Sequence, residues 1–194
     1  MSIQDAIDDL KKKKTFFLLV KSGRIVDDGA LEPTDSAMQM SMSHGTQFVL
    51  YARSKGYKKA AHTDAKWWLT YGEWINDRNE KKTDTKIRCD GCTALAFYLI
   101  HKMYPKLPVH IIEQGTGNAV GHWFILVGDP TSKDIKYGHD WGDDCFVVDL
   151  WGAYVLQSRG TDKKADAIVS PARCLYSVDS TNKLAIRASL NSAL

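Results

Sequence analysis

The run Cys92-Thr93-Ala94-Leu95-Ala96-Phe97-Tyr98-Leu99-Ile100-His101-Lys102-Met103-Tyr104 is apolar on nearly every face, and Pro105 follows it. A helix apolar all round is the buried central helix of its domain, and proline stops it. Other elements must therefore cover this helix on all sides. Downstream lie three strand-like runs, Val109–Glu113, Ala119–Val127 and Cys145–Trp151, with Tyr154–Leu156 continuing the last. Gly115-Thr116-Gly117-Asn118 reads as the hairpin turn between the first two. Residues 129–144 read as a polar loop. A helix packed on an antiparallel sheet is an α+β arrangement.

The front half, residues 1–85, reads as mostly helical. Ile3, Ala6, Ile7 and Leu10 stand at helical spacing, so residues 3–13 are expected to form an amphipathic helix whose basic end, Lys11–Lys14, is solvated. Residues 15–20 read as a buried strand and residues 27–43 as a loop. Ser43 is expected to cap a helix through Arg53, closed by Gly56. A further helix runs from Thr63 or Asp64 through Ile75 and carries Trp67, Trp68 and Trp74, which read as core. Residues 77–90 are almost wholly polar and read as an exposed loop. A strand near 172–178 and a final helix or tail over 184–194 complete the expectation. The 194 residues thus form one domain: a helical front half (1–85), a core carrying the chemistry (86–155) and a C-terminal strand and helix (156–194).

Composition narrows the function. The net charge is +3 and no Lys/Arg stripe dominates any segment, so nothing announces a nucleic-acid partner. No stretch reaches the length of about 20 apolar residues that a membrane span needs. The start, Met1-Ser2-Ile3-Gln4-Asp5, lacks the basic and apolar regions of a secretory signal. The expected location is cytoplasmic, or outside the cell by a signal-less route. Four cysteines do not make a disulfide scaffold.

Three residues occupy positions that answer chemical needs. Cys92 sits where a polar loop turns into the buried helix, after Gly91. A helix N-terminus supplies N–H groups and a positive dipole end that stabilise a thiolate, and the same N–H groups can hold an oxyanion. His122 opens the apolar strand after Gly121, and imidazole titrates in the range a general base needs. Asp149 stands in a strand where an apolar residue is expected. A buried carboxylate needs a partner, and His122 on the adjacent strand is the economical one.

Those residues carry a resemblance. Cys89-Asp90-Gly91-Cys92-Thr93-Ala94-Leu95 resembles the papain-type segment Cys-Gly-Ser-Cys-Trp-Ala-Phe. Gly121-His122 with its apolar strand is similar to the histidine strand of that superfamily. Val148-Asp149-Leu150-Trp151-Gly152 resembles the Asn-Ser-Trp-Gly segment, with Asp in the Asn position. The order Cys, His, Asp is the superfamily's, and the short separations are closer to bacterial effector and toxin domains. The Cys92 segment also looks like that of transglutaminase-like enzymes. The resemblance spans about residues 86–155 and implies a papain-like thiol hydrolase: Cys92 nucleophile, His122 base, Asp149 orienter. It also implies Cys89 as an alternative nucleophile, since some toxin families place the reactive cysteine earlier. The chain departs from the pattern at the oxyanion glutamine, because Lys86 stands six residues before Cys92. The second donor is then a backbone N–H or a side chain such as Gln47 or Asn76.

The expected substrate is a protein or peptide, cleaved at a peptide bond or deamidated at glutamine. A peptidoglycan amidase, a transglutaminase-like effector and a non-catalytic binding module keeping the fold are the alternatives. No cofactor or metal is implied. Cys89-x-x-Cys92 as half a zinc site lacks a second pair, and as a redox pair it lacks a βαβ setting. Trp123 and Trp151 are expected to line the cleft. His139, next to Asp140, Asp143 and Asp144, belongs to a loop bordering the cleft, where it could replace His122 as base or the acids could hold a cation. Nothing in the sequence speaks to oligomeric state.

Overall fold

The structure, a computed structural model, describes residues 2–13, 25, 36–81, 83, 86–116, 119–131, 141–142, 144–162, 164–169 and 182–192. The expected strands at 15–20 and 172–178, His139, Asp140, Asp143 and Cys174 lie outside these residues.

Five helices and an antiparallel five-stranded sheet make up the described chain, an α+β architecture. The helices are α1 (Ile3–Lys12), α2 (Ser36–Ser54), α3 (Ala65–Glu80), α4 (Cys89–Met103) and α5 (Leu150–Ser158). The strands are β1 (Val109–Thr116), β2 (Ala119–Val127), β3 (Phe146–Val148), β4 (Ile168–Val169) and β5 (Asn182–Leu190), in spatial order β4-β3-β2-β1-β5. No described helix is long and apolar enough to cross a membrane.

Local chemistry explains the helix ends. Ser2 and Asp5 form a reciprocal capping box at α1. Lys11 and Lys12 lie in the last turn, and Lys13 pairs with Asp9 at 3.2 Å, so the described basic end is a helix C-terminus as expected. Asp64 caps α3 by accepting from the Lys66 N–H at 2.8 Å. The Tyr104 hydroxyl donates to the Asp9 carboxylate and ties α1 to the end of α4. Burial first, and then this carboxylate, push the Tyr104 phenol up to about 12.

The central helix is α4, buried along most of its length. One side meets α3 at Gly72, where a Cβ would run into the Ala94 carbonyl and Tyr98. Another side meets the sheet face built from Val109, Ile111, Trp123, Ile125 and Val127. The opposite sheet face carries a second, smaller core of Ile112, Phe124, Leu126, Trp141, Cys145, Val147 and Val169. Each large apolar side chain fully buried here contributes about 1.5–3 kcal/mol. The indoles of Trp67, Trp68 and Trp74 are all buried in the first core, as expected.

Several boundaries differ from the sequence reading. Helix α2 starts at Ser36, inside the expected loop 27–43, and carries Gly45 within it. Helix α3 continues to Glu80, because the polar residues after Asn76 are the solvated last turn of a helix whose other face is core. Helix α4 begins at Cys89 rather than Cys92. The expected strand Cys145–Trp151 stops at Val148. Asp149 caps a new helix, α5, so Tyr154–Leu156 is helical and not a continued strand. Residues 182–190 form β5, not a helix or tail, because they pair along the whole of β1.

Candidate active site

The site begins with the pairing of β1 and β2. Gln114 and His122 are register partners. Gly121 is needed beside them, since a Cβ there would enter the Gln114 carbonyl. This glycine therefore serves the close approach of the two strands. Alternation along β2 sends Trp123, Ile125 and Val127 toward α4 and Phe124 and Leu126 to the other face. His122 stacks on Phe124, with ring centroids 5.9 Å apart, and meets Trp151 at 5.0 Å. It thus stands at the seam between the two cores.

Strand β3 pairs only with Ile125–Val127. Past the end of β3 the chain turns at Asp149 into α5, and this turn brings carboxylate and indole to the imidazole. His122 Nε2 is 2.7 Å from Asp149 Oδ2, with His122 8% and Asp149 3% exposed. The second oxygen, Oδ1, accepts the Gly152 N–H at 2.8 Å and caps α5. One carboxylate thus fixes the imidazole and starts the helix that carries Trp151. Charge-assisted contacts of this kind, shielded from water, are stronger than exposed ones. The structure brings His122 and Asp149 together and packs Trp151 on the imidazole.

Cysteines 89 and 92 lie in the first turn of α4, and both are thiols. They differ in position. Cys92 is 2% exposed and belongs to the core. Its N–H makes the first intrahelical bond, to the Arg88 carbonyl at 2.9 Å. Arg88, the N-cap, makes no side-chain cap bond. The N–H groups that lack an intrahelical acceptor are therefore those of Cys89, Asp90 and Gly91. Cys89, the first helical residue, is half-buried and lines a cavity of about 550 Å³. Gly121 and Trp123 line the same cavity, whereas the His122 ring between them turns to the Phe124 side of the strand.

His62 carries no motif in the sequence. Its ring stacks on Trp123 at 5.4 Å and lines the Cys89 cavity, while its carbonyl accepts from the Trp68 indole at 2.9 Å. No local pattern marks it, since it stands in a turn before α3. Arg88, Glu113 and Arg187 add charge to the cavity wall, with the Arg187 guanidinium bonded to the Glu113 carboxylate. Behind α4, Tyr71 faces Asp90 at 3.5 Å, and burial followed by this carboxylate holds its phenol well above the usual range. The side-chain oxyanion donors considered from sequence are elsewhere. Gln47 is exposed on α2, and Asn76 donates to Glu80 along the surface of α3. Trp123 lines the cavity, whereas Trp151 packs on His122.

No family model, curated protein or solved structure matches the chain.

Proposed function

We propose that the chain is a thiol hydrolase of papain-like type that cleaves a carboxamide, either a peptide bond or a glutamine side chain. The single observation that carries the reading is the buried 2.7 Å contact between His122 and Asp149. A carboxylate bound to Nε2 fixes the proton on that nitrogen and stabilises the imidazolium, so Nδ1 is the nitrogen that exchanges a proton with a thiol.

Cys89 is the attacking thiol in this reading, in preference to Cys92. It reaches the cavity and is the first residue of the helix, at the positive end of its dipole. The sulfur bonds to the amide carbon while the thiol proton passes to His122, a step that requires the buried ring to move from the Phe124 side toward the cavity. The C–N bond breaks as His122 passes that proton to the leaving nitrogen. Water, deprotonated by His122, then cleaves the thioester and restores the thiol. The first-turn N–H groups stand where an oxyanion would be held. The aromatic wall of Trp123 and His62 supplies an apolar surface for the substrate.

The test is product analysis on a mixture of proteome-derived peptides. The wild-type protein should generate new N-termini or glutamate at former glutamine positions. Both kinds of product should vanish with Cys89→Ala and with His122→Gln. Products that persist in both variants, or that the wild type never makes, contradict the reading.

A further inference from the structure

A second nucleophile arrangement lies one strand away from the first site. His110 on β1 is the direct register partner of Ser189 on β5. The His110 Nδ1 is 2.8 Å from the Ser189 Oγ. On the other side of the ring, Nε2 is 3.2 Å from Asp129 Oδ1, just past the end of β2. That oxygen also accepts the Ser192 hydroxyl at 2.8 Å, which holds the carboxylate toward the ring. The imidazole is fully buried, whereas Ser189 is exposed. His110, Ser189 and Ser192 line a cavity of about 520 Å³, to which Leu184, Ile186 and Ala188 add apolar walls.

We propose that Ser189, His110 and Asp129 form a second acyl-transfer site, one that hydrolyses carboxylic esters with small apolar acyl groups. The proposal is independent of the thiol site. Each residue answers one need. The Asp129 carboxylate lies 3.2 Å from Nε2 without an aligned hydrogen bond, so its charge favours the proton on Nε2 and leaves Nδ1 as the acceptor for the Ser189 hydroxyl. Burial lowers the His110 pKa, opposed in part by Asp129, so the ring is neutral at pH 7 and able to accept a proton. The Asp129 contact makes no hydrogen bond and burial weakens the base, so the site suits a good leaving group. That favours an ester over an amide. Leu184, Ile186 and Ala188 offer a short acyl chain an apolar stretch of wall, while Arg187 and Thr63 make the rest of the cavity polar.

Ser189 Oγ bonds to the acyl carbon and its proton passes to His110 Nδ1. The C–O bond to the alcohol breaks, and the departing alkoxide takes that proton. Water then gives its proton to Nδ1, its oxygen bonds to the acyl carbon, and the ester to Ser189 opens as the proton returns to Oγ.

The experiment uses the full chain with a biotinylated fluorophosphonate and p-nitrophenyl butyrate. On the wild-type protein the fluorophosphonate should add to Ser189, located by peptide mass spectrometry. Butyrate release should persist in Cys89→Ala, and in that background it should fall by at least about 100-fold on adding Ser189→Ala or His110→Gln. Ser189→Ala removes one exposed hydroxyl, and an unchanged melting curve separates a chemical loss from an unfolded protein. It should also leave any amide-hydrolysing activity intact. Failure to label Ser189, or ester hydrolysis in Cys89→Ala that is unchanged on adding Ser189→Ala, overturns the proposal while leaving the thiol reading untouched.

Discussion

Asp149 holds His122 Nε2 with one oxygen, at 2.7 Å, and the first turn of α5 with the other. Chemistry and fold therefore depend on the same side chain, and two substitutions separate them. Asp149→Asn retains an oxygen for the Gly152 N–H, whereas Asp149→Ala removes both partners. Losing the cap costs about 1 kcal/mol, and a buried imidazole without its acceptor costs about 1–3 kcal/mol more. Asp149→Ala should therefore lower the urea midpoint clearly, and Asp149→Asn much less. Both should depress amide turnover, since neither fixes the imidazole as a carboxylate does.

Gly121 supports the site through the backbone. A methyl group there meets the Gln114 carbonyl, so β1 and β2 would have to separate beside His122. Gly121→Ala should cost about 1–3 kcal/mol by overpacking and reduce turnover as His122 moves. Gly160→Ala, a substitution at a positive φ of 70° past the end of α5 with open space around it, should affect stability without that loss of turnover. Parallel melting curves and assays check the contrast.

His110 makes stability depend on pH. Its folded-state pKa is lowered from 6.5, chiefly by burial. The unfolded chain then binds the proton more readily. This group's contribution is fully present above the unfolded value and is lost as pH falls from there toward the folded value. Urea midpoints should drop between pH 7.5 and pH 5.5, and His110→Gln should reduce that drop. An equal drop in the variant would assign the effect to other groups.

Some of this was legible in the sequence because the signal was local. The all-apolar run marks α4, Gly121-His122 marks the start of the buried part of β2, and a carboxylate after Phe146-Val147-Val148 marks a residue needing a partner. Other features depend on distant contacts. Leu184, Ile186, Ala188 and Leu190 alternate, yet their neighbours include good helix formers, and pairing with β1 decides in favour of strand β5. Asp149 reads as a strand residue until the Gly152 N–H shows it to be a cap. Likewise His62 meets Trp123, and Ser189 meets His110, only through the packing of segments far apart in the chain.

Thiol reactivity tests the central claim most directly. Cys145 is buried, and burial pushes its thiol up to about 11, so it should resist alkylation at neutral pH and serve as an internal reference. The measurement is the rate of iodoacetamide modification at each cysteine, followed by peptide mass spectrometry from pH 5.5 to 8. The account expects Cys89 to react fastest, to remain reactive near pH 6 as an activated thiolate, and to lose that low-pH reactivity in His122→Gln. Uniformly slow modification of Cys89, Cys92 and Cys145, or a Cys89 rate at pH 6 that is the same with and without the imidazole, would contradict it.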